Sequence, residues 1–138
     1  ATEMVQVTPF LLILGMVLVA PGYSAKKCVL TGSWTNDLGS NMTIKAMDEN
    51  GNFSGSYNTS VSATENKILE SPLWGSQHWP NMTTQPTFGF TVNWSFSDSV
   101  TVFTGQCFVD NEGKEILKTM WLLRLHVADI KDDWKATM

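Results

Sequence analysis

Apolar and polar residues alternate with a period of two along most of the chain after residue 28. In residues 87–96, Phe88, Phe90, Val92, Trp94 and Phe96 share one face, and small or polar residues occupy the other. This period is typical of a strand with one buried face. Six further segments show the pattern less completely, and we expect seven short strands in all. The other six are residues 30–36, 42–47, 53–57, 67–73, 99–108 and 116–125.

Turn signals separate these segments. Asn50-Gly51, the strongest short hairpin signal, lies between the second and third strands, and a turn cluster occupies residues 110–113. Residues 74–86 are rich in Gly, Pro, Asn and Thr and predict a loop. Residues 128–138 are polar and could start a short helical turn. The pattern therefore predicts an all-β fold, an antiparallel up-and-down barrel or a sandwich, and a barrel of about eight strands has room for one small ligand.

The first 25 residues differ from the rest. Residues 5–20 are almost wholly apolar and are followed by Pro21-Gly22 and then Ser24-Ala25. The densest part is shorter than the ~20 apolar residues that a membrane span needs. The pattern predicts a secretory signal peptide over residues 1–25 and one domain over residues 26–138, with a membrane anchor as the alternative.

Composition supports secretion and excludes one class of partner. The chain has 138 residues and a formal net charge of −4, and its pI of about 5.0 argues against a basic nucleic-acid-binding face. Cys28 and Cys107 most simply form one disulfide in a secreted chain, the alternative being two buried thiols. Five Asn-x-Ser/Thr sequences favour a secreted glycoprotein. They are Asn41, Asn52, Asn58, Asn81 and Asn93. We expect neither a membrane nor a nucleic acid as the partner of this glycoprotein.

Residues suited to catalysis are few. His78 and His126 lie far apart, and no group of His, Cys or Asp has the spacing of a metal site. We therefore expect no enzymatic activity, no metal and no cofactor. Polar residues do recur beside Trp, as Asn36 follows Trp34 and Thr119 precedes Trp121. An aromatic box with a few fixed polar groups is the general form of a small-ligand pocket, and the alternative is that these Trp side chains only fill a core.

Long blocks of the sequence resemble the avidin family, and within it the avian avidin-related and biotin-binding proteins. The resemblance runs from Lys27 to Thr137. The blocks are residues 28–43 (CVLTGSWTNDLGSNMT), 85–94 (QPTFGFTVNW), 103–108 (FTGQCF), 118–124 (KTMWLLR) and 132–137 (DDWKAT).

The resemblance implies an eight-stranded antiparallel barrel that forms a homotetramer and binds biotin, as a ligand, in its open end. Position by position, it assigns Asn36, Ser40 and Tyr57 to the ureido carbonyl. It assigns Thr59 and one further acceptor to the two ureido nitrogens. It places the thioether near Thr101, among Trp94, Phe103 and Trp121.

The remaining assignments concern the carboxylate tail and the apolar lining. The tail is expected to meet Ser62, Ala63, Thr64, Ser97 and Ser99. Leu38, Val61, Phe96 and Leu123 are expected to complete the lining. The Trp that matches Trp134 closes a neighbouring subunit's pocket in the family, so the same role is expected of Trp134.

One departure from the family affects the fold. The family continues beyond the position of Met138 into a final strand, so we expect seven strands and an unpaired edge. Three functions remain open. The first is a secreted, non-enzymatic biotin-binding glycoprotein that sequesters or carries the vitamin. The second is a carrier of another small lipophile, and the third is a structural barrel protein whose site the missing strand impairs. Asn36, Ser40, Tyr57 and Thr59 discriminate, because a lipophile carrier needs no such polar cluster.

Overall fold

The computed structural model describes residues 1–7, 26–60, 70–78 and 84–138. These residues form a closed antiparallel barrel in which each strand pairs with the next and β1 also pairs with β8. The strands are β1 Thr2–Gln6, β2 Gly32–Thr35, β3 Asn41–Ile44, β4 Asn52–Asn58, β5 Ser71–Gln77, β6 Thr87–Asn93, β7 Val100–Val109 and β8 Glu115–Arg124. A 3-10 helix, Ile130–Lys135, follows β8 and confirms the helical turn expected in the tail.

The two ends of the barrel carry different residues. We call the end where β2, β4, β6 and β8 finish the open end, and the end where they begin the closed end. Alternate residues along the strands point inward and form a single core. Trp34, Leu73, Val92 and Leu117 are fully buried within it, and the Trp34 indole N–H donates to the Leu30 carbonyl at 2.7 Å. The predicted all-β barrel is confirmed.

The expectation of seven strands and an open edge is wrong. Thr2–Gln6 occupies the place between β2 and β8 and closes the barrel. Its residues alternate in the way that a strand requires, and Met4 is fully buried opposite Leu117. These residues fall within the expected signal peptide, of which residues 8–25 lie outside the described part. Removal of residues 1–25 stays a prediction.

The chain shows no membrane-crossing helix among its described residues, because none of the helices there is long and apolar enough.

The boundaries of β5 differ from the expectation. The strand runs over Ser71–Gln77, so residues 74–77, expected in a loop, belong to the sheet. Pro72 was taken as the end of the strand but lies near its start. It pairs with Ser56 of β4, whereas pairing to β6 begins only at Leu73. A proline is tolerated there because no hydrogen bond to β6 is required of its missing N–H. Residues 67–69 of the predicted strand lie outside the described part.

Two hairpins at the closed end share one turn geometry. Asp48 Oδ1 accepts hydrogen bonds from the backbone N–H groups of Asn50 and Asn52, each at 2.9 Å. In the second hairpin, Asp110 Oδ1 accepts from the backbone N–H groups of Glu112 and Lys114, also at 2.9 Å. Gly51 has φ of 84° and its counterpart after Asp110 has φ of 80°, a region that favours glycine. The backbone N–H of Asn52 is the main cause of a lowered pKa for the Asp48 carboxyl.

The predicted disulfide is confirmed. Cys28 and Cys107 are bonded with their Cα atoms 5.7 Å apart, which ties the segment before β2 to β7 near the closed end. The neighbouring Glu115 carboxylate accepts from the Val29 backbone N–H at 2.9 Å. The chain is therefore covalently fixed at the end opposite the cavity described next.

Candidate functional site

A cavity of about 530 Å³ occupies the open end of the barrel. Its wall alternates between apolar rings and hydroxyl or amide groups, and no charged side chain lines it among the described residues. The lining residues are Thr2, Asn36, Leu38, Ser40, Tyr57, Thr59, Trp94, Phe96, Ser97, Ser99, Thr101, Phe103, Trp121, Leu123, Leu125 and Met138.

Thirteen of the residues assigned by resemblance lie together around this cavity. They are Asn36, Leu38, Ser40, Tyr57, Thr59, Trp94, Phe96, Ser97, Ser99, Thr101, Phe103, Trp121 and Leu123. Val61, Ser62, Ala63 and Thr64 lie outside the described residues. Trp134 does not line the cavity of its own barrel, and its side chain is 82% exposed. That these residues bind a ligand stays a prediction.

Three lining residues were not anticipated. Leu125 extends the inward face of β8, which its position at the end of the predicted strand could have indicated. Thr2 and Met138 come from the two termini, and the local sequence pattern gives no signal for them. Met138 reaches the cavity because the tail folds back along β8, where its backbone exchanges hydrogen bonds with Leu123 at 2.7 and 2.9 Å.

Asn36 is held in one orientation by the loop that follows β2. Its Oδ1 accepts hydrogen bonds from the backbone N–H groups of Leu38 at 3.1 Å and Ser40 at 2.9 Å. Gly39 allows the tight loop with φ of 85°. Because the amide oxygen is committed to the backbone, the amide NH₂ is the part that can donate to a ligand.

Ser40 and Tyr57 form the buried polar part of the wall. The Ser60 backbone N–H donates to Ser40 Oγ at 3.0 Å, and the Ser40 side chain acts to lower the pKa of the Tyr57 phenol, against the larger effect of burial. Both residues are at most 5% exposed, and Thr59 beside them is also buried. Burial raises the pKa of the Tyr57 phenol above its ordinary value. The phenol is therefore neutral at physiological pH and can donate a hydrogen bond.

Aromatic rings hold the polar groups in place. The Tyr57 ring stacks on Phe103 with centroids 5.5 Å apart, and it meets Trp94 edge to face at the same distance. The Trp94 indole N–H donates to Thr101 Oγ1 at 2.7 Å, and the Trp121 indole donates to Thr2 Oγ1 at 3.3 Å. These contacts give a rigid apolar slot with its hydroxyls already oriented.

The mouth of the cavity carries a pair of serine hydroxyls. Ser97 and Ser99, in the turn between β6 and β7, are hydrogen-bonded to each other through their Oγ atoms. Each hydroxyl has one proton, so the pair can offer a donor to a group at the rim. The two regions thus differ, because the inner wall adds an amide and a phenol to its hydroxyls, whereas the mouth carries the two serine hydroxyls.

Aromatic rings occupy the interior of the closed end. Phe53, Phe88 and Phe90 are buried there. A cleft on the outer side of this end is open and polar, and includes Asn52, His78 and Thr104. His78 is exposed there and His126 is exposed near the opposite end, so the two histidines form no common site.

Comparisons with known proteins agree with this geometry. The sequence description of the avidin family matches residues 24–138. The chain is 68% identical to avidin of Gallus gallus over 127 residues, which is 92% of this chain and 84% of that protein. Avidin-related protein 1 of the same species is 61% identical over 127 residues, covering 92% and 83%.

Two solved structures resemble the barrel. The X-ray structure of a biotin binding protein from chicken has a TM-score of 0.77 and 62% sequence identity, over 81% of this chain and 90% of that chain. The crystal structure of Xenavidin has a TM-score of 0.77 and 53% identity, over 82% and 92%.

Proposed function

This chain belongs to the avidin family, and we propose that it is a secreted, non-enzymatic protein that binds biotin in the open end of its barrel. The observation that carries the proposal is the polar cluster of Asn36, Ser40 and Tyr57, held rigidly beside an apolar slot. An apolar carrier cavity has no use for three fixed polar groups, two of them buried, so this cluster argues against a general lipophile carrier.

The ureido ring of biotin has the chemistry that this cluster fits. Its carbonyl oxygen is a strong acceptor, and two donors are already held in place. Hydrogen bonds to Oδ1 fix the Asn36 amide, and ring packing fixes the neutral Tyr57 phenol. Thr59, buried beside Tyr57, is the acceptor that we assign to a ureido N–H. Because these donors are already ordered before biotin binds, the entropic cost of binding is lower.

The remainder of biotin matches the rest of the cavity. The thiophane ring would lie between Trp94, Phe103 and Trp121, with its sulfur near Thr101. The valeryl chain would extend toward the mouth, where the hydroxyls of Ser97 and Ser99 can bind its carboxylate. A carboxylate at this place stays partly solvated, which suits a wall without cations.

We also propose a homotetramer, which an apolar patch on the outer face of β7 and β8 supports. Val102, Met120 and Leu122 point outward and are 44%, 65% and 55% exposed. Cross-strand pairing places Val102 opposite Leu122. A continuous exposed apolar patch of this kind is typical of a protein–protein interface. Trp134, exposed on the tail, is proposed to close the cavity of a neighbouring subunit.

Secretion and glycosylation complete the proposal. A signal peptide over residues 1–25 would direct the chain outside the cell, where the Cys28–Cys107 disulfide is stable. Asn41, Asn52, Asn58 and Asn93 are exposed candidates for glycosylation, and Asn81 lies outside the described residues. Asn93 is expected to stay unmodified, because its outer sheet face would pack against another subunit in the proposed tetramer.

Titration with biotin, followed by Trp fluorescence, tests the proposal. The full chain is expected to show a saturable change at one biotin per chain, because Trp94 and Trp121 line the site. A chain carrying Asn36→Leu and Tyr57→Phe is the matched control and should bind far more weakly. Saturable binding of a fluorescent fatty acid, with no response to biotin, would instead identify a lipophile carrier and overturn the proposal.

A further inference from the structure

One buried carboxylate lies at the closed end and has no part in the proposed binding of biotin. Glu115, the first residue of β8, is 9% exposed. One of its carboxylate oxygens and the sulfur atoms of Cys28 and Cys107 lie within 4.8 Å of one another. Among the described residues, no other Asp or Glu side chain is buried. A buried carboxylate is costly unless its neighbours pair with it, so Glu115 must be held beside the disulfide by specific contacts.

Two contacts hold the carboxylate there. Its Oε2 accepts from the Val29 backbone N–H at 2.9 Å, and its Oε1 lies 3.5 Å from Lys26 Nζ. The lysine ammonium also donates to the Gly113 carbonyl at 2.8 Å, and its side chain is 57% exposed, against 9% for that of Glu115. Because water screens the exposed ammonium more than the buried carboxylate, Lys26 cancels only part of the effect of Glu115 on the sulfur atoms.

The immediate surroundings of the sulfur atoms add to this effect. Cys107 is fully buried and Cys28 is 4% exposed. The Phe108 carbonyl oxygen lies 3.2 Å from Cys28 Sγ, a sulfur that has no proton to donate because it is bonded to Cys107. The partial negative charge of this oxygen therefore acts in the same direction as the Glu115 carboxylate.

Negative charge at this place opposes the reaction that breaks a disulfide. A thiolate attacks one sulfur atom, its electron pair forms a new S–S bond, and the other cysteine leaves as a thiolate. A second thiolate then attacks the mixed disulfide and releases the first cysteine. The reagent ends as its own disulfide, and the two cysteines take up the protons that its thiols gave up. Each transition state spreads negative charge over three sulfur atoms, which a neighbouring carboxylate destabilises.

We propose that Glu115 protects the Cys28–Cys107 disulfide from reduction, most strongly against thiols that carry a further negative charge. Repulsion across 4.8 Å, at the effective dielectric of a partly buried place, slows such an attack by at least about tenfold. The bond closes a loop of 79 residues, so its loss would release a large part of the unfolded chain from constraint. The proposal is independent of biotin binding.

Reduction of the folded full chain by three small thiols tests this role. Mercaptoacetate brings an additional carboxylate, mercaptoethanol brings no further charge, and cysteamine brings an ammonium. Free cysteines are trapped and counted by mass spectrometry, and each rate is expressed per thiolate. Each rate is then divided by that of the same chain unfolded in urea, which has the same sequence but no longer holds the carboxylate beside the disulfide. This ratio should be at least about tenfold smaller for mercaptoacetate than for cysteamine.

Glu115→Gln is the deciding variant, because the side-chain amide keeps an acceptor for the Val29 N–H and loses the charge. We expect reduction of the folded variant to be about tenfold faster with mercaptoacetate, about threefold faster with mercaptoethanol and nearly unchanged with cysteamine. Glu112→Gln is the matched control, since Glu112 is exposed in the preceding turn and its substitution changes the net charge equally. Its three rates should equal those of the original chain.

The pattern across the three thiols separates repulsion from a loss of structure. A substitution that only loosens the segment before β2 would expose the sulfur atoms to every reagent, so the three rates would rise by the same factor. Equal factors in Glu115→Gln, or unchanged rates, would overturn the proposal. If Glu115→Gln does not fold, the original chain decides, because equal folded-to-unfolded ratios for the three thiols would overturn the proposal as well.

Discussion

The two ends of this barrel are built from the same strands and differ in what the inward positions carry. At the closed end, Phe53, Phe88 and Phe90 meet across the axis, with Phe53 edge to face against Phe90 at 6.4 Å and Phe88 stacked on Phe90 at 6.1 Å. At the open end, the inward positions carry Tyr57 and Thr101, and about 530 Å³ is left unfilled.

Glycine accounts for much of the closed end. A Cβ atom at Gly75 would lie 2.2 Å from the Gly89 carbonyl oxygen and 2.8 Å from Cζ of Phe53. A Cβ atom at Gly105 would lie 2.2 Å from the Lys118 carbonyl oxygen and 3.1 Å from Cζ of Phe88. The rings of Phe53 and Phe88 fit because the paired positions on the neighbouring strands, Gly75 and Gly105, carry no side chain. One end of the barrel therefore provides stability, and the other is free to bind.

The largest effect is expected from overfilling the closed end. Gly105→Ala should lower the free energy of unfolding by about 3 kcal/mol, because the new Cβ meets backbone that cannot move aside. Gly89→Ala is the matched control, since its Cβ would lie 3.3 Å from one carbonyl oxygen, and we expect a loss of about 1 kcal/mol. Urea unfolding measures both, and equal midpoints would contradict the packing argument.

A change at the open end should affect affinity and spare stability. Tyr57→Phe removes one donor to the ureido oxygen, so we expect biotin affinity to fall by about 2 kcal/mol, roughly 30-fold. Phe88→Leu, at the closed end, should lower the unfolding midpoint and leave affinity unchanged. Titration calorimetry and urea unfolding of both variants give the cross-comparison. Unaltered affinity in Tyr57→Phe would remove that residue from the site.

A smaller effect is expected from the tail. Trp134→Ala should raise the biotin release rate about fivefold, close to 1 kcal/mol, if the indole closes a neighbouring cavity. Ile130→Ala, in the same 3-10 helix and 91% exposed, is the control and should change nothing.

Mixed oligomers locate the contribution of Trp134. One variant carries Trp134→Ala, and the other keeps Trp134 but carries Asn36→Leu and Tyr57→Phe. Slow release should reappear in the mixture. Its absence in confirmed hetero-oligomers would show that the indole serves its own subunit.

The smallest effect concerns alkaline pH. Burial raises the pKa of Tyr57 above its ordinary value of 10.0, so the folded state keeps a proton that the unfolded state loses as pH rises past that value. Stability from this group is thus complete below pH 10 and declines as pH rises toward the folded pKa. Urea midpoints measured across this range should fall more steeply for the original chain than for Tyr57→Phe. Parallel profiles would contradict the assignment.

Local patterning predicts the strands of this barrel well and its closure poorly. Period-two alternation places β6 and β7 closely, because both have one buried face and one exposed face. It misplaces β5 because Pro72 suggests the end of a strand. In the structure Pro72 pairs with β4 and lacks a partner only on the side that faces β6. Thr2–Gln6 was missed as a strand because the apolar run beginning at Val5 is typical of a signal peptide.

The candidate site shows the same limit. Resemblance identifies the residues that strands carry inward, such as Tyr57 and Thr101, because their positions follow from the barrel. Thr2 and Met138 reach the cavity through pairing with β8, a long-range contact that no local pattern encodes. The commitment of Asn36 Oδ1 to the backbone, which fixes the donor, is likewise visible only in the folded loop.

Mapping of biotin on the ¹⁵N-labelled full chain tests the central claim that the open end binds and the closed end does not. One equivalent of biotin should shift the amide signals of Asn36 and Ser40 and the indole signals of Trp94 and Trp121. The amides of Gln77 and Phe88, at the closed end, should stay in place. Shifts centred on the closed end, or a folded chain whose spectrum biotin leaves unchanged, would contradict the account.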